Sequence, residues 1–500
     1  MPVLTGEAGS AVPLAIDGFR LGKAFIGGQW TGSSAQRRVI EVLDPATERI
    51  ISEVPDVGGE GAKLAVDAAA AALLGWRTIP AQMRSEKLRA VFDQLNRHRE
   101  ELAGIITREQ GKPFSEAKAE VDYAASYFLW FAEEARRSYG TIIPPFRPDD
   151  QLLVILEPIG VVAAITPWNA PLAMVARKVA PALAAGCTVV VKPAEQTPLS
   201  ALALARLIER AGFPEGAFNV VTGEPVSIGK ALTEDPVVRK LSFTGSTQVG
   251  KLLLAQCAPT VKKVSVELGG HAPFIVFEDA DIDTAVEAAL TAKFRASGQS
   301  CVSANRFIVH EEVYEAFTTG LVDAVARLRT GAGTELDTQV GPMIDRNAVR
   351  RLEVQVADAQ QAGARIAIGS RQGSGCFFQP TVLVDVDADA RIMREETFGP
   401  VAPVTKFGTE GDALDMARHP EFGLAAYVMT RDADRMWRVA RALETGMIGF
   451  NTGLISDASI PFGGVKASGL GREGSWLGMR EYLTEKYVCI APSTRSAAHA

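Results

Sequence analysis

The stretch "IGVVAAITPWNAPLAMVARKVAPALAAGCTVVVK" (residues 159–192) decides the fold of this chain. It begins and ends with short runs rich in valine and isoleucine, which are typical of buried strands, and a nearly apolar helical segment joins them. Similar runs follow at 218–221, 240–243 and 262–267, with helical segments such as 200–212 between them. Strands that alternate with helices predict an α/β fold with a doubly wound, Rossmann-like parallel sheet. Such sheets bind ligands at the carboxyl ends of their strands.

The length and charge of the chain restrict the class of protein. A chain of 500 residues exceeds the size of one hydrophobic core, so we expect two or three domains. The net charge of -7, without a basic stripe, argues against a nucleic-acid partner. The most apolar region is interrupted by Pro167, Asn169, Arg177 and Lys178, so no segment predicts a membrane span.

The five cysteines and five histidines show no disulfide or metal-binding pattern. The cysteines are widely spaced and never arranged as CxxC, and the histidines form no HExxH motif. We therefore expect a reducing compartment and no catalytic metal. The segment 1–20 has no basic residue before Arg20 and no apolar run typical of a signal peptide, which makes the cytoplasm the expected location.

The remaining chain predicts a second α/β domain and a small β arm. Residues 62–76 and 119–137 have the periodicity of amphipathic helices that would cover the sheet. Two isolated strands, at 140–158 and 482–491, either pair with another subunit or lie at the edge of a sheet. We expect the NAD(P)-binding domain at 1–139 and 160–267, the catalytic domain at 268–478, and an oligomerisation arm and tail at 140–159 and 479–500.

Two polar side chains lie where predicted strands end. Asn169 lies between a strand and a helix, where it either caps the helix or directs its amide at a developing oxyanion. Glu267 precedes Gly269 and Gly270, and it is either a surface residue at a turn or a general base with room to move. Position alone leaves both interpretations of each residue open.

Further candidates follow two other strands of the predicted sheet. Lys192 and Glu195 could hydrogen-bond ribose hydroxyls in the crevice, or they are solvated turn residues. Gly245 and Ser246 begin a helix, whose N-terminal amides would face a phosphate. The segment 242–251 matches neither the GxGxxG nor the Walker A pattern.

Cys301 lies among small polar residues in "GQSCVSANR" (298–306), after a predicted helix at 285–297. It is either structural or a nucleophile, and a nucleophile needs help to ionise because the reference thiol pKa is about 8.5. Arg177 lies in the nearly apolar helix, and Arg295 lies on the helix that leads to Cys301. Burying an unpaired charge is costly, so each arginine needs either a partner within the protein or a ligand anion.

Eight motifs lie in order along the chain: TPWN (166–169), KPAEQTP (192–198), SFTGSTQVG (242–250), VELGG (266–270), GQSC (298–301), EETFGPVAPV (395–404), FGLAAYV (422–428) and PFGGVKASGLGREG (461–474). The order and spacing of these motifs resemble those of the aldehyde dehydrogenase superfamily, from about residue 25 to residue 490. Within it, the chain is most similar to the succinate-semialdehyde dehydrogenase branch. The segments "ARKVAPALAAGC", "KFRASGQSCVSANRF" and "GREGSWLGMREYLTEKYVCI" carry this closer resemblance.

The resemblance implies a catalytic mechanism. Cys301 would attack the aldehyde, and the Asn169 amide with the Cys301 backbone N–H would hold the oxyanion, each donor being worth about 3 kcal/mol. Hydride transfer to a nicotinamide would leave a thioester, and Glu267 would activate the water that hydrolyses it. Such a base argues against a coenzyme-A-acylating enzyme, and the intact motifs argue against a non-catalytic protein on the same fold.

The resemblance also implies a cofactor site. Lys192 and Glu195 would bind the adenine-side ribose, residues 245–250 would lie by the pyrophosphate, and Glu396 with Phe398 would position the nicotinamide ribose. The full set is Thr166, Trp168, Lys192, Glu195, Gly245, Ser246, Gly250, Leu268, Glu396 and Phe398. A carboxylate at Glu195 would repel a 2'-phosphate, so we expect NAD to be preferred, with NADP as the alternative.

In the semialdehyde branch, Arg177, Arg295 and Ser456 fall on the positions that bind the distal carboxylate. The resemblance therefore implies oxidation of succinate semialdehyde to succinate by a homo-dimer or homo-tetramer. Glutarate semialdehyde and 2-oxoglutarate semialdehyde are alternatives that place the carboxylate one carbon further away. Ser303 stands where some animal relatives have the second cysteine of a redox switch, so that disulfide cannot form here.

Overall fold

The computed structural model describes residues 15–32, 38–370 and 373–492. Residues 1–14 of the N-terminal segment and 493–500 of the predicted tail lie outside these ranges. The strands are β1 (Ala15–Ile16), β2 (Phe19–Arg20), β3 (Ala24–Ile26), β4 (Gln29–Thr31), β5 (Val39–Asp44), β6 (Arg49–Pro55), β7 (Thr141–Ile143), β8 (Gln151–Pro158), β9 (Val161–Ile165), β10 (Thr188–Lys192), β11 (Phe218–Val220), β12 (Val238–Thr244), β13 (Lys263–Glu267), β14 (Ala272–Val276), β15 (Ala304–His310), β16 (Arg365–Ile368), β17 (Thr381–Val384), β18 (Val401–Phe407), β19 (Phe422–Gly423), β20 (Ala425–Met429), β21 (Met447–Phe450), β22 (Val465–Lys466), β23 (Gly469–Leu470) and β24 (Leu483–Ile490). The α-helices are α1 (Gly58–Trp76), α2 (Ala81–Arg97), α3 (Arg99–Gln110), α4 (Phe114–Glu134), α5 (Ala173–Ala185), α6 (Leu199–Arg210), α7 (Pro225–Glu234), α8 (Thr247–Cys257), α9 (Ile282–Phe294), α10 (Tyr314–Ala326), α11 (Arg346–Gln361), α12 (Glu410–Ala417), α13 (Ala433–Ala442) and α14 (Ser475–Arg480).

The first large sheet has the strand order β23-β13-β12-β9-β10-β11-β3-β4. Its five central strands, β9 to β13, are all parallel. The chain runs outward from β9 to β10 and β11, and it then returns to β12 on the other side of β9. This reversal leaves a crevice at the carboxyl ends of β9 and β12, where doubly wound sheets bind ligands. The predicted sheet is confirmed, with strand ends that differ from the sequence prediction by no more than two residues.

Alternating side chains of β9 pack against different helices on the two faces of this sheet. Val161 and Ala163 lie in one buried cluster with apolar residues of α1, and Val162 and Ala164 lie in another with residues of α4 and α5. Each fully buried valine contributes roughly 1.5–3 kcal/mol. The helix predicted at 62–76 therefore covers one face of the sheet, as α1. The helix predicted at 119–137, α4, packs on α5, and α5 lies against β9 and β10 on the other face.

A second sheet follows in the order β16-β17-β18-β15-β14-β20-β21. All its pairs are parallel except that of β16 with β17. The short strand β23 then returns to the first sheet, where Gly469 pairs with Glu267 at the end of β13. Part of the predicted catalytic segment thus completes the first sheet beside its ligand-binding edge, and the domain boundaries stay a prediction.

The two strands predicted as isolated pair with each other in the same chain. β24 lies antiparallel to β8 along its whole length, and β7 pairs with the other edge of β8. The sequence could not indicate this pairing because more than 300 residues separate the two strands. Ile142, Phe146 and Tyr487 expose large apolar side chains on this three-stranded arm.

Three further properties of the chain bear on its chemistry. No helix in the described residues is long and apolar enough to cross a membrane. Across the same described ranges, no group of three or more His, Cys, Asp or Glu side chains is placed to hold a metal ion. All five cysteines are free thiols.

Candidate active site

A cavity of about 670 Å³ lies where the carboxyl ends of β9, β12 and β13 meet the residues before β15. The predicted site residues in its wall are Trp168, Asn169, Arg177, Gly245, Ser246, Glu267, Arg295, Cys301, Glu396, Phe398 and Ser456. The other predicted residues, which are Thr166, Lys192, Glu195, Gly250 and Leu268, are not part of this wall. The structure thus brings every predicted catalytic and substrate residue to one cavity, together with half of the predicted cofactor set.

Cys301 follows a tight turn whose backbone is unfavourable for most residues. Ala296 and Ser297 have positive φ angles of 48° and 57°, and Gly298 follows with 70°. A Cβ atom at Gly298 would lie 2.3 Å from the carbonyl oxygen of Gly399, so only glycine fits there. Burial, followed by the negative charge of Glu267, raises the pKa of the Cys301 thiol well above its ordinary value. The thiol therefore needs a base to become a nucleophile.

Glu267 supplies a carboxyl group beside that thiol. It ends β13 and is buried, so the interpretation as a surface glutamate is wrong. In the described part of the chain, neither of its carboxyl oxygens has a hydrogen-bond partner, although Arg177 Nη2 lies 3.4 Å from Oε2. Burial raises the pKa of Glu267, and the charge of Arg177 opposes this increase. A buried carboxyl group with free oxygens can accept a proton from a thiol or from water.

Asn169 does not cap the following helix, because α5 begins only at Ala173. Its side-chain Nδ2 donates a hydrogen bond to the backbone oxygen of Gln299, at 3.0 Å, two residues before Cys301. Glu120 from α4 performs the capping instead, since its Oε1 accepts from the backbone N–H groups of Leu172 and Ala173. The amide of Asn169 is therefore free to face the nucleophile loop.

Two aromatic rings and a carboxyl group line the part of the cavity that is predicted to hold the nicotinamide. Trp168 and Phe398 meet edge to face, with ring centroids 5.5 Å apart. Glu396 Oε1 accepts a hydrogen bond from the backbone N–H of Gly270, at 3.2 Å. Burial raises the pKa of Glu396 to about 7. These side chains form a largely apolar pocket with one acidic group.

The start of α8 lies at the same edge of the first sheet. Ser246 caps this helix and accepts from the backbone N–H of Val249. Packing explains why residue 250 is a glycine, because a Cβ atom there would lie 2.3 Å from Leu268 Cδ2. Outside the cavity wall, Lys192 Nζ and Glu195 Oε2 form an ion pair of 2.8 Å at the end of β10.

Arg177 has partners within the protein, which the sequence could not reveal. Its guanidinium forms an ion pair with Glu473 and lies 4.3 Å from the ring centre of Phe462. Glu473 also pairs with Lys178. The internal ion pair that the sequence left open therefore exists, and the buried charge of Arg177 does not require a ligand anion. Contact between Arg177 and a substrate carboxylate stays a prediction.

Arg295 does not lie on the predicted helix. α9 ends at Phe294, and Arg295 already has the extended backbone angles of φ -56° and ψ 143°. The left-handed residues that follow cannot continue a right-handed helix. The Arg295 side chain is exposed at the cavity, and within the described ranges it has no ion-pair partner closer than 4 Å. Ser456 lies in the same wall.

Sequence reasoning missed several charged residues of the cavity wall. They are Lys112, Glu116, Glu120 and Arg351. Glu473, which pairs with Arg177 behind this wall, was also missed. The spacing of Glu116 and Glu120 by four residues on one helix was the only signal available, and such pairs are common on solvated helix faces.

Comparison with known proteins identifies the family. The model of the aldehyde dehydrogenase family matches residues 30–488. The chain is 53% identical over 470 residues to the succinate-semialdehyde dehydrogenase (NADP(+)) GabD of Escherichia coli strain K12, which covers 94% of this chain and 97% of that protein. It is 52% identical over 470 residues to the glutarate-semialdehyde dehydrogenase of Pseudomonas aeruginosa, with coverage of 94% and 97%. A crystal structure of succinate-semialdehyde dehydrogenase from Burkholderia pseudomallei superposes with a TM-score of 0.93 at 52% identity, covering 94% of this chain and 98% of that chain. This chain therefore belongs to the aldehyde dehydrogenase family.

Proposed function

We propose that this protein is an NAD(P)-dependent dehydrogenase that oxidises succinate semialdehyde to succinate. The observation that carries the proposal is the exposed guanidinium of Arg295 in the same cavity as the Cys301 thiol. A substrate carboxylate at Arg295 would form charged hydrogen bonds worth roughly 1.5–3 kcal/mol each. The two semialdehyde dehydrogenases from Escherichia coli and Pseudomonas aeruginosa support the same class of substrate.

Three residues of the chain perform the proposed chemistry. Glu267 takes the proton of the Cys301 thiol, and the thiolate forms a bond to the aldehyde carbon. The Asn169 side-chain amide and the Cys301 backbone N–H hold the resulting oxyanion. NAD(P), when bound, supplies the hydride acceptor that converts the thiohemiacetal to a thioester. After its first proton has left to solvent, Glu267 deprotonates a water molecule, which attacks the thioester and releases the carboxylate and the thiol.

The residues at the carboxyl ends of the first sheet fit a dinucleotide. The hydroxyl groups of Thr166 and Thr244, after β9 and at the end of β12, are buried and have no hydrogen-bond partner in the described residues. They flank the crevice in which doubly wound sheets bind nucleotides. The first turn of α8 lies beside them, and its free N–H groups can donate hydrogen bonds to a phosphate.

We propose that NAD is preferred over NADP. Glu195 forms an ion pair with Lys192 at the end of β10, where the carboxylate would accept hydrogen bonds from ribose hydroxyls and repel a 2'-phosphate. The Escherichia coli relative carries NADP(+) in its name, so the preference must be measured for this chain. Glu195→Ser should raise kcat/KM for NADP relative to NAD, and an unchanged ratio would contradict the assignment.

A panel of aldehydes assayed in parallel with NAD and NADP tests the proposed function. We expect succinate semialdehyde with NAD to give the highest kcat/KM, followed as NADH absorbance. Butanal, which has the same chain length and no carboxylate, is the matched control. A folded, reduced enzyme that forms no NADH or NADPH from succinate semialdehyde would contradict the proposal.

Glutarate semialdehyde is the second candidate substrate, because the relative from Pseudomonas aeruginosa is named for it. It and 2-oxoglutarate semialdehyde carry the carboxylate one carbon further from the aldehyde. One methylene changes discrimination by only about 1–3 kcal/mol, so the ratio of kcat/KM values must decide. Stimulation by coenzyme A would instead favour an acylating enzyme.

We also propose that the protein forms a homo-dimer or homo-tetramer in the cytoplasm. The apolar side chains of Ile142, Phe146 and Tyr487 on the arm would be covered by a second copy of the chain. A reducing compartment suits an enzyme whose Cys301 must stay a free thiol. Light scattering of the purified protein tests the assembly, and a monomer at assay concentration would contradict it.

A further inference from the structure

Two glutamates of helix α4 contact the two loops that carry the proposed nucleophile and its oxyanion donor. Glu116 and Glu120 are one turn apart, so their side chains lie on the same face of the helix. Both lie in the wall of the cavity. Neither has a role in the reaction steps described above.

Glu116 contacts the turn before Cys301. Its Oε2 accepts a hydrogen bond from the backbone N–H of Ala296, at 2.8 Å. Ala296 and Ser297 have left-handed backbone angles, which persist only where the surroundings hold them in place. Ser297 Oγ is held on the other side by the carbonyl oxygen of Gly341. Glu116 is thus the contact that ties this strained turn to α4.

Glu120 contacts the loop that carries Asn169. Its Oε1 accepts from the backbone N–H groups of Leu172 and Ala173 at the start of α5. Its Oε2 pairs with Lys112 Nζ, which also donates to the backbone oxygen of Asn169, at 2.9 Å. Glu120 therefore holds the end of this loop at the start of α5, and Lys112 holds Asn169 in the middle of it.

The two loops come from different sheets. Asn169 follows β9 of the first sheet, and Cys301 precedes β15 of the second. One hydrogen bond joins them directly, from Asn169 Nδ2 to Gln299 O. A rigid helix that binds both loops can maintain the distance between the thiol and the amide, and a displacement of about 1 Å at a reacting centre can reduce the rate about 100-fold.

We propose that Glu116, and Glu120 acting with Lys112, are positioning residues that set the Cys301 loop against Asn169. The inference rests on the proposed catalytic roles of Cys301 and Asn169, and it does not depend on which semialdehyde is the substrate. Glu116 acts as a hydrogen-bond acceptor for the turn. Glu120 and Lys112 act through Asn169.

Three single variants test the role of Glu116. Glu116→Gln keeps an oxygen acceptor for the Ala296 N–H and should retain a turnover close to that of the parent enzyme. Glu116→Ala removes the acceptor and should reduce kcat by about 10- to 100-fold, with little change in KM for the cofactor. Glu109→Ala is the matched control, because Glu109 is a buried carboxylate that caps α6 through Leu199 and Ser200. It should lower the melting temperature and leave kcat at saturating cofactor unchanged.

A second measurement does not depend on turnover. Burial and the Glu267 charge raise the pKa of the Cys301 thiol, so a loosened turn that exposes the thiol to water should move the pH profile of its alkylation by iodoacetamide to lower pH. Glu116→Ala should show this shift, and Glu116→Gln and Glu109→Ala should not. Equal kcat losses in Glu116→Gln and Glu116→Ala, or an alkylation profile of Glu116→Ala like that of the parent enzyme, would overturn the role of Glu116.

A double-mutant cycle tests Lys112 and, with it, the Glu120 contact. Lys112→Met should reduce kcat in the parent enzyme and should have little further effect in the Asn169→Ala background, because the residue acts through Asn169. Additive losses would overturn this part of the inference. A parent enzyme that oxidises no semialdehyde would contradict the proposed function instead, and the alkylation profiles would still test the role of Glu116.

Discussion

Helix α5 and the turn after helix α9 each present one arginine to the cavity, in very different surroundings. Arg177 lies in the second turn of α5, fully buried, with Glu473 and Glu267 as charged partners and the Phe462 ring against its guanidinium. Arg295 lies beyond the end of α9 and is exposed to the cavity.

The contrast shows that two charges in similar sequence contexts can have different roles. The charge of Arg177 is balanced by carboxylates within the folded protein, and it acts on the pKa of Glu267. Arg295 keeps its hydrogen-bonding capacity for a ligand. A buried ion pair is costly to break because the remaining charge stays in a low-dielectric interior, whereas an exposed charge is solvated by water.

The largest expected effect follows from removing the partner of Arg177. Glu473→Gln leaves Arg177 and Lys178 without their shared carboxylate, and it should reduce the free energy of unfolding by about 3–5 kcal/mol. Arg295→Leu should change it by no more than about 0.5 kcal/mol. Urea denaturation measures both. Equal stability changes in the two variants would remove the contrast between the arginines.

Arg295→Leu should instead reduce activity toward carboxylate substrates. Loss of the charged hydrogen bonds should lower kcat/KM for succinate semialdehyde by about 10- to 100-fold. The same variant should oxidise butanal as well as the parent enzyme does, because that aldehyde has no carboxylate to bind. A similar loss for both aldehydes would indicate a structural role for Arg295.

The pH dependence of activity should distinguish the effects of Arg177 and Arg295 on the catalytic base. Burial raises the pKa of Glu267, so the carboxylate base forms only at a higher pH than usual, and kcat/KM should fall as the pH decreases through that raised pKa. Arg177→Leu removes the charge that opposes the increase, so the acid limb should move to higher pH. Arg295→Leu should leave the limb in place. Profiles measured with butanal exclude effects on carboxylate binding, and equal shifts in both variants would contradict the assignment.

The smallest expected effect is that of added salt on KM for succinate semialdehyde. Exposed charges are screened over about 8 Å at physiological ionic strength, so KM for succinate semialdehyde should rise with added salt through the weaker attraction of Arg295. The stability difference between Glu473→Gln and the parent protein should stay nearly constant, because buried pairs are screened much less. A salt-independent KM would indicate that the substrate carboxylate binds a buried partner such as Arg177.

Much of the fold could be predicted because each element depends on local sequence. The strands β9 to β13 have runs of β-branched residues, and the structure places them within two residues of the predicted bounds. The aldehyde dehydrogenase family was also identified from local motifs, four of which lie at the ends of β9, β10, β12 and β13. Helix ends were less predictable, since α5 begins after Asn169 and α9 ends before Arg295.

The sequence by itself determined the doubly wound sheet, the family and the residue types at the cavity, because strand periodicity and loop motifs are local properties of the chain. Only the tertiary structure decided which charges are paired. Glu473 lies almost 300 residues from Arg177, and Glu116 lies 180 residues from Ala296, yet each pair is in contact. A charge interacts with whatever group the fold brings within a few ångströms, and that distance depends on the packing of whole sheets and helices.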